Sequence, residues 1–340
     1  MKKFFASMLA ICMTISLVSC SSAGGQTTTN PSPENTTTQE TLDFPTRNIE
    51  ILGPYSAGGG LDLITRYAAE AVDFPVSVSF TEMAGGSSLV CVKECLNGDL
   101  SGHRYMALHP ESMPPYELSG VYDQKYADKF SWICCYAYDP MCIAVGKDSP
   151  INSWEDLVND AKARPGEQTW GGSGNLSTNT VGAVLAMWAG DFEALYVPYK
   201  GAADARIDCM GGNLDVFIGQ VSEMVAYHES GDLKIIATEG EERSEWIPDI
   251  PTLAEIAGTK EKTVFGLHRG IIIPKAVPEE ARQYLEDMYR EAVTTEEWKA
   301  GCADSMHYTP GFWDGEECAA LYESCYVICE EAMAYVADNM

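Results

Sequence analysis

From Asn48 onward the spacing of apolar residues switches repeatedly between two periods. "IEILGPY" (49–55) is a compact apolar run of strand length, and "LDLITRYAAEAV" (61–72) repeats its apolar residues at helical spacing. "VSVSFTEM" reads as a strand, "SSLVCVKECLNG" as a helix closing on Gly98, and "RYMALHP" as a further strand. "WICCYAYDPMCIAVGK" (132–147) is a long β-rich run without a break. "SWEDLVNDAKARPG" predicts a helix with Ser153 as N-cap, Asp156 three residues on, and a stop at Pro165-Gly166. The alternation continues through "QTWGGSG", "LSTNTVGAVLAMWAG", "ALYVPYKG", "AADARIDCMGG", "LDVFIGQ", "VSEMVAYHESG" and "LKIIATEG". After the connector "SEWIPDIPTLAEIAG" come "VFGLHRGIIIP", the helical "PEEARQYLEDMYREAV" and a C-terminal helical stretch. Strands alternating with helices predict an α/β fold with parallel layers. The runs at 132–147 and 235–273 mark places where the chain changes lobe.

The first residues follow another pattern. "MKKFFASMLAICMTISLVSC" has a basic start, an apolar stretch from Phe4 to Val18 that is short for a membrane span, and then Ser19-Cys20. Residues 1–20 therefore read as a signal peptide. Its "LVSC" ending resembles a bacterial lipobox, with Cys20 as the lipidated mature N-terminus; an ordinary secretory signal or an unprocessed anchor is the alternative. Residues 21–46, rich in Thr, Ser, Pro and Gln, have too little apolar surface to offset their ordering entropy and read as a flexible tether. Together these segments place the fold outside the cytoplasm, attached to a membrane.

Three loops then share one design. Ser56-Ala57-Gly58-Gly59-Gly60, Gly171-Gly172-Ser173-Gly174-Asn175 with Ser177 and Thr178, and Lys200-Gly201-Ala202-Ala203 each follow a strand and lead into a helix. In open α/β sheets ligands bind at the carboxyl ends of strands, and a helix N-terminus offers unpaired N–H groups to an anion. The glycines let such a ligand reach the backbone. The predicted ligand-binding residues are Tyr55, Ser56, Ala57, Gly58, Gly59, Asp62, His109, Ser173, Gly174, Asn175, Ser177, Thr178, Tyr199, Lys200 and Gln220. Asp62 either favours the dipole or caps free N–H groups of the first helix, or it holds a ligand amine or hydroxyl or shapes the loop; Lys200 pairs with a ligand carboxylate or is solvated.

Composition narrows the partners. Fifty acidic and twenty-two basic residues, a formal net charge of −28, exclude a nucleic-acid partner and require short-range donors for any anionic ligand. The ten cysteines after the leader lack the paired spacing of a zinc or redox motif, so they read as small buried hydrophobes or one or two disulfides, and no metal or cofactor is expected. Cys318, Cys325 and Cys329 fall on one helix face. "GGSGN" is not a nucleophile elbow, no Walker or dinucleotide fingerprint is present, and no catalytic residue is assigned.

"IEILGPYSAGGGLDLITRYAAE", "TEMAGGSS", "NSWEDLVNDAKARPGEQTWGGSGNLSTNTVGAVLAMWAG" and above all "LYVPYKGAADARIDCMGGNLDVFIGQ" resemble the tripartite tricarboxylate transporter substrate-binding proteins, the Bug family. The similarity spans roughly residues 47–335. It implies a two-lobed periplasmic-binding-protein fold of type II, each lobe a mostly parallel sheet flanked by helices. Lobe 1 would be 47–143 plus 240–340 and lobe 2 144–239, with the ligand cleft between them. It also implies a small carboxylate ligand, held at Tyr55–Gly60 with Asp62 and at Ser173–Thr178, and delivered to membrane transporter subunits. Asn175, Thr180 and His109 depart from the family's usual residues, so the ligand's identity does not carry over. A binding protein that serves a signalling partner, and an exported hydrolase using a cysteine or Ser173, are the alternatives.

Overall fold

The computed structural model describes residues 43–339. The leader, Cys20 and residues 21–42 of the tether lie outside the described residues. Phe44, among the last residues assigned to the tether, is packed. Its ring meets His103 and Tyr284 edge-on, with centroids 4.7 and 5.4 Å away, and the Thr46 N–H donates to His103 Nε2 at 3.0 Å.

The elements follow the periodicity closely. In order they are β1 Ile49–Gly53, α1 Gly60–Ala71, β2 Val78–Glu82, α2 Leu89–Asn97, β3 Arg104–Leu108, α3 Met113–Leu118 and β4 Phe130–Gly146. Next come α4 Trp154–Ala163, β5 Thr169–Ser173, α5 Thr178–Gly190, β6 Leu195–Tyr199, α6 Ala202–Met210, β7 Val216–Gln220, α7 Val221–Glu229 and β8 Leu233–Thr238. The chain ends with α8 Leu253–Ala257, β9 Gly266–Pro274, α9 Glu279–Val293, α10 Glu296–Met306, β10 Thr309–Asp314 and α11 Gly315–Asn339. Ser153 caps α4 as its sequence predicts, its Oγ accepting from the Asp156 N–H at 3.1 Å.

One curled mixed sheet runs β2-β1-β3-β9-β4-β7-β5-β6, with β8 and β10 also pairing with β4. The wings are parallel: β1 pairs with β2 and β3, and β5 with β6 and β7. The centre is antiparallel, because β4 runs opposite to each strand it pairs with. Its first part, Phe130–Pro140, pairs with β9, and its last part, Met141–Gly146, with β7 and β8. A single 17-residue strand therefore ties two α/β halves together.

Each half has its own core. Ile49, Ile51, Ile64, Ala68, Tyr105 and Tyr289 bury α1 and α9 against the first half. Trp170, Val184, Leu185, Ile143 and Ile218 bury α5 against the second, where Leu253, Phe265, Cys325 and Cys329 join them. All ten described cysteines are free and buried. Cys318, Cys325 and Cys329 share the inward face of α11, and the Cys325 and Cys329 sulfurs approach to 3.5 Å as free thiols. Among the described residues no helix is long and apolar enough to cross a membrane.

Candidate functional site

Where the two halves meet, the starts of α1, α5, α6 and α7 face a cleft of about 860 Å³. The glycine loop explains itself locally. Gly58 has φ +78°, a left-handed conformation that a side chain disfavours. A Cβ on Gly60 would stand 2.7 Å from the Tyr308 hydroxyl. Small residues there keep the N-terminus of α1 open.

Unpaired donors surround the cavity. The N–H groups of Gly60, Leu61 and Asp62 in α1, Thr178 and Asn179 in α5, and Ala202, Ala203 and Asp204 in α6 find no acceptor among the described residues. First-turn amides lack an intrahelical partner by geometry, and each aligned helix adds a partial positive charge at that end. The wall can hold an anion without any cation touching it.

Ten of the fifteen predicted residues reach this wall: Tyr55, Ser56, Gly58, Gly59, Asp62, His109, Ser173, Ser177, Thr178 and Gln220. The Asp62 carboxylate is occupied on both oxygens, accepting from the Gly58 N–H and from Arg66 Nε, each at 2.8 Å. Asp62 thus fixes the loop. Ser173 Oγ donates to Asn179 Oδ1 at 2.9 Å, and Ser177 Oγ to the Ser173 carbonyl at 2.6 Å. Asn179, which the sequence did not single out, is buried and also donates to the Ile218 carbonyl at 2.7 Å. It locks the start of α5 to β7.

Five predicted residues lie off the wall. Ala57, Asn175 and Lys200 are exposed at loop tips. Gly174 makes the turn itself, with φ +73° and its N–H donated to the Tyr199 carbonyl at 2.7 Å. The Tyr199 hydroxyl donates to Asp208 Oδ2 at 2.8 Å, which turns the ring toward α6. Gly201, Ala202 and Ala203 line the cleft where Lys200 had been expected.

A charged group at the wall went unseen in the sequence. Arg269 on β9 is 3% exposed, and its two Nη atoms donate to Asp139 Oδ2 at 2.5 Å and His109 Nε2 at 2.8 Å. Asp139 also accepts from the Ser222 N–H and Oγ, at 3.1 and 2.7 Å. Burial pushes the Asp139 carboxyl up, against the pull of Arg269 and of Ser222. Burial, followed by the charges of Arg269 and His268, holds His109 well below its ordinary range, so the ring is neutral. Arginine can only donate, which makes Nε2 the acceptor and leaves the His109 proton on Nδ1. Arg206, Glu223, Tyr227 and Tyr308 complete this side of the cleft.

A cleft between two α/β halves, walled by helix N-termini, defines a binding protein of the periplasmic type. The sequence comparisons give its family. Residues 110–306 match the model of the tripartite tricarboxylate transporter family receptor, and the chain belongs to that family of solute-binding proteins, which are not enzymes. It is 27% identical over 271 residues to the UPF0065 protein in the gbd 5'region of Cupriavidus necator, covering 76% of this chain and 79% of that one. A ligand-free TctC solute-binding protein from Polaromonas superposes with a TM-score of 0.69 at 25% identity, over 86% of this chain and 99% of that one. The R. palustris protein Rpa4515, solved with adipate, superposes at 0.75 with 22% identity, over 85% of this chain and 97% of that one.

Proposed function

We propose that this protein captures a small carboxylate outside the cytoplasm and delivers it to a tripartite tricarboxylate-type secondary transporter, held to the membrane by a lipid on Cys20. The two halves joined by β4 act as the lobes that close on the ligand. One observation carries the reading: three helix starts present unpaired amides to the same open cleft. These short-range donors are what an acidic chain of net charge −28 needs to hold an anion, since distant charge is screened beyond about 8–10 Å at physiological ionic strength. Membership in a family of transporter receptors, and a similar fold solved with adipate, support the same class of ligand.

A thermal-shift screen of organic acids and amino acids, followed by calorimetry, tests it. Carboxylates are expected to raise the melting temperature and their neutral amides to leave it unchanged. Stabilisation by neutral sugars or cations alone would sink the proposal. The Cys20 anchor is tested separately, by the diacylglyceryl mass on the N-terminal peptide of the mature protein.

Asp62 gives a sharper check on the glycine loop. Asp62→Ala releases Gly58 and Arg66 together, and the cradle loses its fixed shape. The dissociation constant of any carboxylate hit should rise about tenfold, the equivalent of one or two net hydrogen bonds. An unchanged constant would remove the loop from the binding machinery.

A further inference from the structure

Arg206 differs from Asp62 and Arg269, the cleft's committed charged groups. It lies on α6, one turn beyond the free amides of Ala202 and Ala203, and its side chain is 15% exposed. Its guanidinium rests on the Tyr227 ring, with Cζ 4.5 Å from the centroid. None of its N–H groups has a hydrogen-bond acceptor among the described residues. The nearest carboxylate is Glu223, whose Oε2 is 3.8 Å from Nη1, within ion-pair range and too far for a hydrogen bond.

Glu223 is held just as loosely. It sits in the first turn of α7 and accepts no hydrogen bond from any described residue. Its Oε1 reaches toward the glycine loop, 4.0 Å from where a Cβ on Gly60 would be. A carboxylate thus stands between an unfilled guanidinium fork and the N-terminus of α1. Arg269, by contrast, has both Nη atoms committed to Asp139 and His109.

Resting on the carboxylate reading above, we propose that Arg206 is the specificity-determining residue of this cleft. It takes a second carboxylate of the ligand in place of Glu223, while the first lies on the helix amides. An arginine fork binds a carboxylate through two parallel N–H bonds, which the present 3.8 Å contact does not supply. The Tyr227 ring against the guanidinium limits the positions that the fork can take. Glu223 is then the internal group that the ligand's second carboxylate displaces, and its own charge disfavours ligands that cannot displace it.

Calorimetry on the full mature protein tests this with succinate, glutarate and adipate, beside butyrate, pentanoate and hexanoate, and the matching ω-amino acids. The wild type should prefer dicarboxylates over monocarboxylates of equal length by at least about tenfold, the lower end for a charge-assisted pair. In Arg206→Gln that ratio should collapse toward one. Arg206→Lys, which keeps the charge and loses the fork, should give an intermediate ratio. Glu223→Gln should tighten dicarboxylates about threefold or more by removing the competitor. Melting temperatures of all three variants show that the fold is intact.

A dicarboxylate preference that survives Arg206→Gln overturns the assignment. So does a preference for ω-amino acids that Glu223→Gln abolishes, which would make Glu223 a reader of an ammonium group. If no carboxylate of any series binds the wild type, the underlying carboxylate reading falls as well, and the two failures are told apart by that result.

Discussion

Replacing Arg269 with methionine should destabilise the protein by about 3–5 kcal/mol, because it strands Asp139 as an uncompensated charge in the interior. Asp139 is fully buried, and Arg269 is its only cationic partner among the described residues. The same change removes the donor to His109 Nε2 and leaves a buried ring nitrogen without a partner. Methionine fills most of the volume, so the loss reports charge more than packing. Urea unfolding monitored by tryptophan fluorescence reads the effect. Arg269→Met combined with Asp139→Asn should recover a large part of it: the amide is neutral, and its oxygen still accepts from Ser222. If the single variant unfolds at the wild-type urea midpoint, the ion pair has no structural role and the site's electrostatics need redrawing.

That pair also shows where sequence legibility ends. The glycine loops were readable because each sits where a strand-like run hands over to a helical one, and helix starts carry their donors in the backbone. No side-chain identity has to be known to find them. Arg269, Arg206 and Glu223 are different. In the sequence each is one charge among seventy-two, and nothing local separates a solvated arginine from one folded into a cleft. A hint existed for Arg269, a cation inside the apolar run "VFGLHRGIIIP", since a charged residue in a buried strand needs a partner. The partner, Asp139, is 130 residues away on β4, beyond any local pattern.

Lys200 and Arg206 make the same point in opposite directions. Lys200 stands beside the glycine, read either as a partner for a ligand carboxylate or as solvated, and it lies at an exposed tip. Arg206 is six residues on, and the turn of α6 carries its side chain back to the cleft. The fold divides similarly. Element type was legible almost throughout, but strand direction in the centre was not. Nearly every residue of β4 is buried, so it shows no alternation, and its period carries no information on the direction of its neighbours. Three short elements also escaped: α3 has no counterpart among the expected elements. α8 lies within the expected connector, and β10 interrupts the expected C-terminal helix. The cysteines could be counted but not assigned, because only the fold shows that all ten described thiols are buried and unpaired.

Glu239 yields the second large expectation, a stability that falls as the pH rises. It follows β8, and its backbone is fixed on both sides: its N–H donates to the Met141 carbonyl, and its carbonyl accepts from the Phe265 N–H, each at 2.8 Å. The side chain is fully buried against Gly182 of α5, and neither carboxyl oxygen has a hydrogen-bond partner among the described residues. Burial alone pushes its pKa well above the ordinary 4.5. The folded protein therefore keeps a proton that the unfolded chain releases once the pH passes that value. The folded state binds more protons, so unfolding becomes easier as the pH climbs from 4.5 toward the folded pKa. The slope is at most about 1.4 kcal/mol per pH unit for one group. Glu239→Gln keeps the shape and removes the proton. The variant should match the wild type near pH 4.5, surpass it increasingly as the pH rises above that, and lose this component of the slope. Comparing the two proteins cancels the opposing contributions of carboxyls held low by arginines, such as Asp160 and Asp215 beside Arg164. Parallel stability curves for the two proteins would mean that Glu239 ionises in the folded state as it does in the unfolded one.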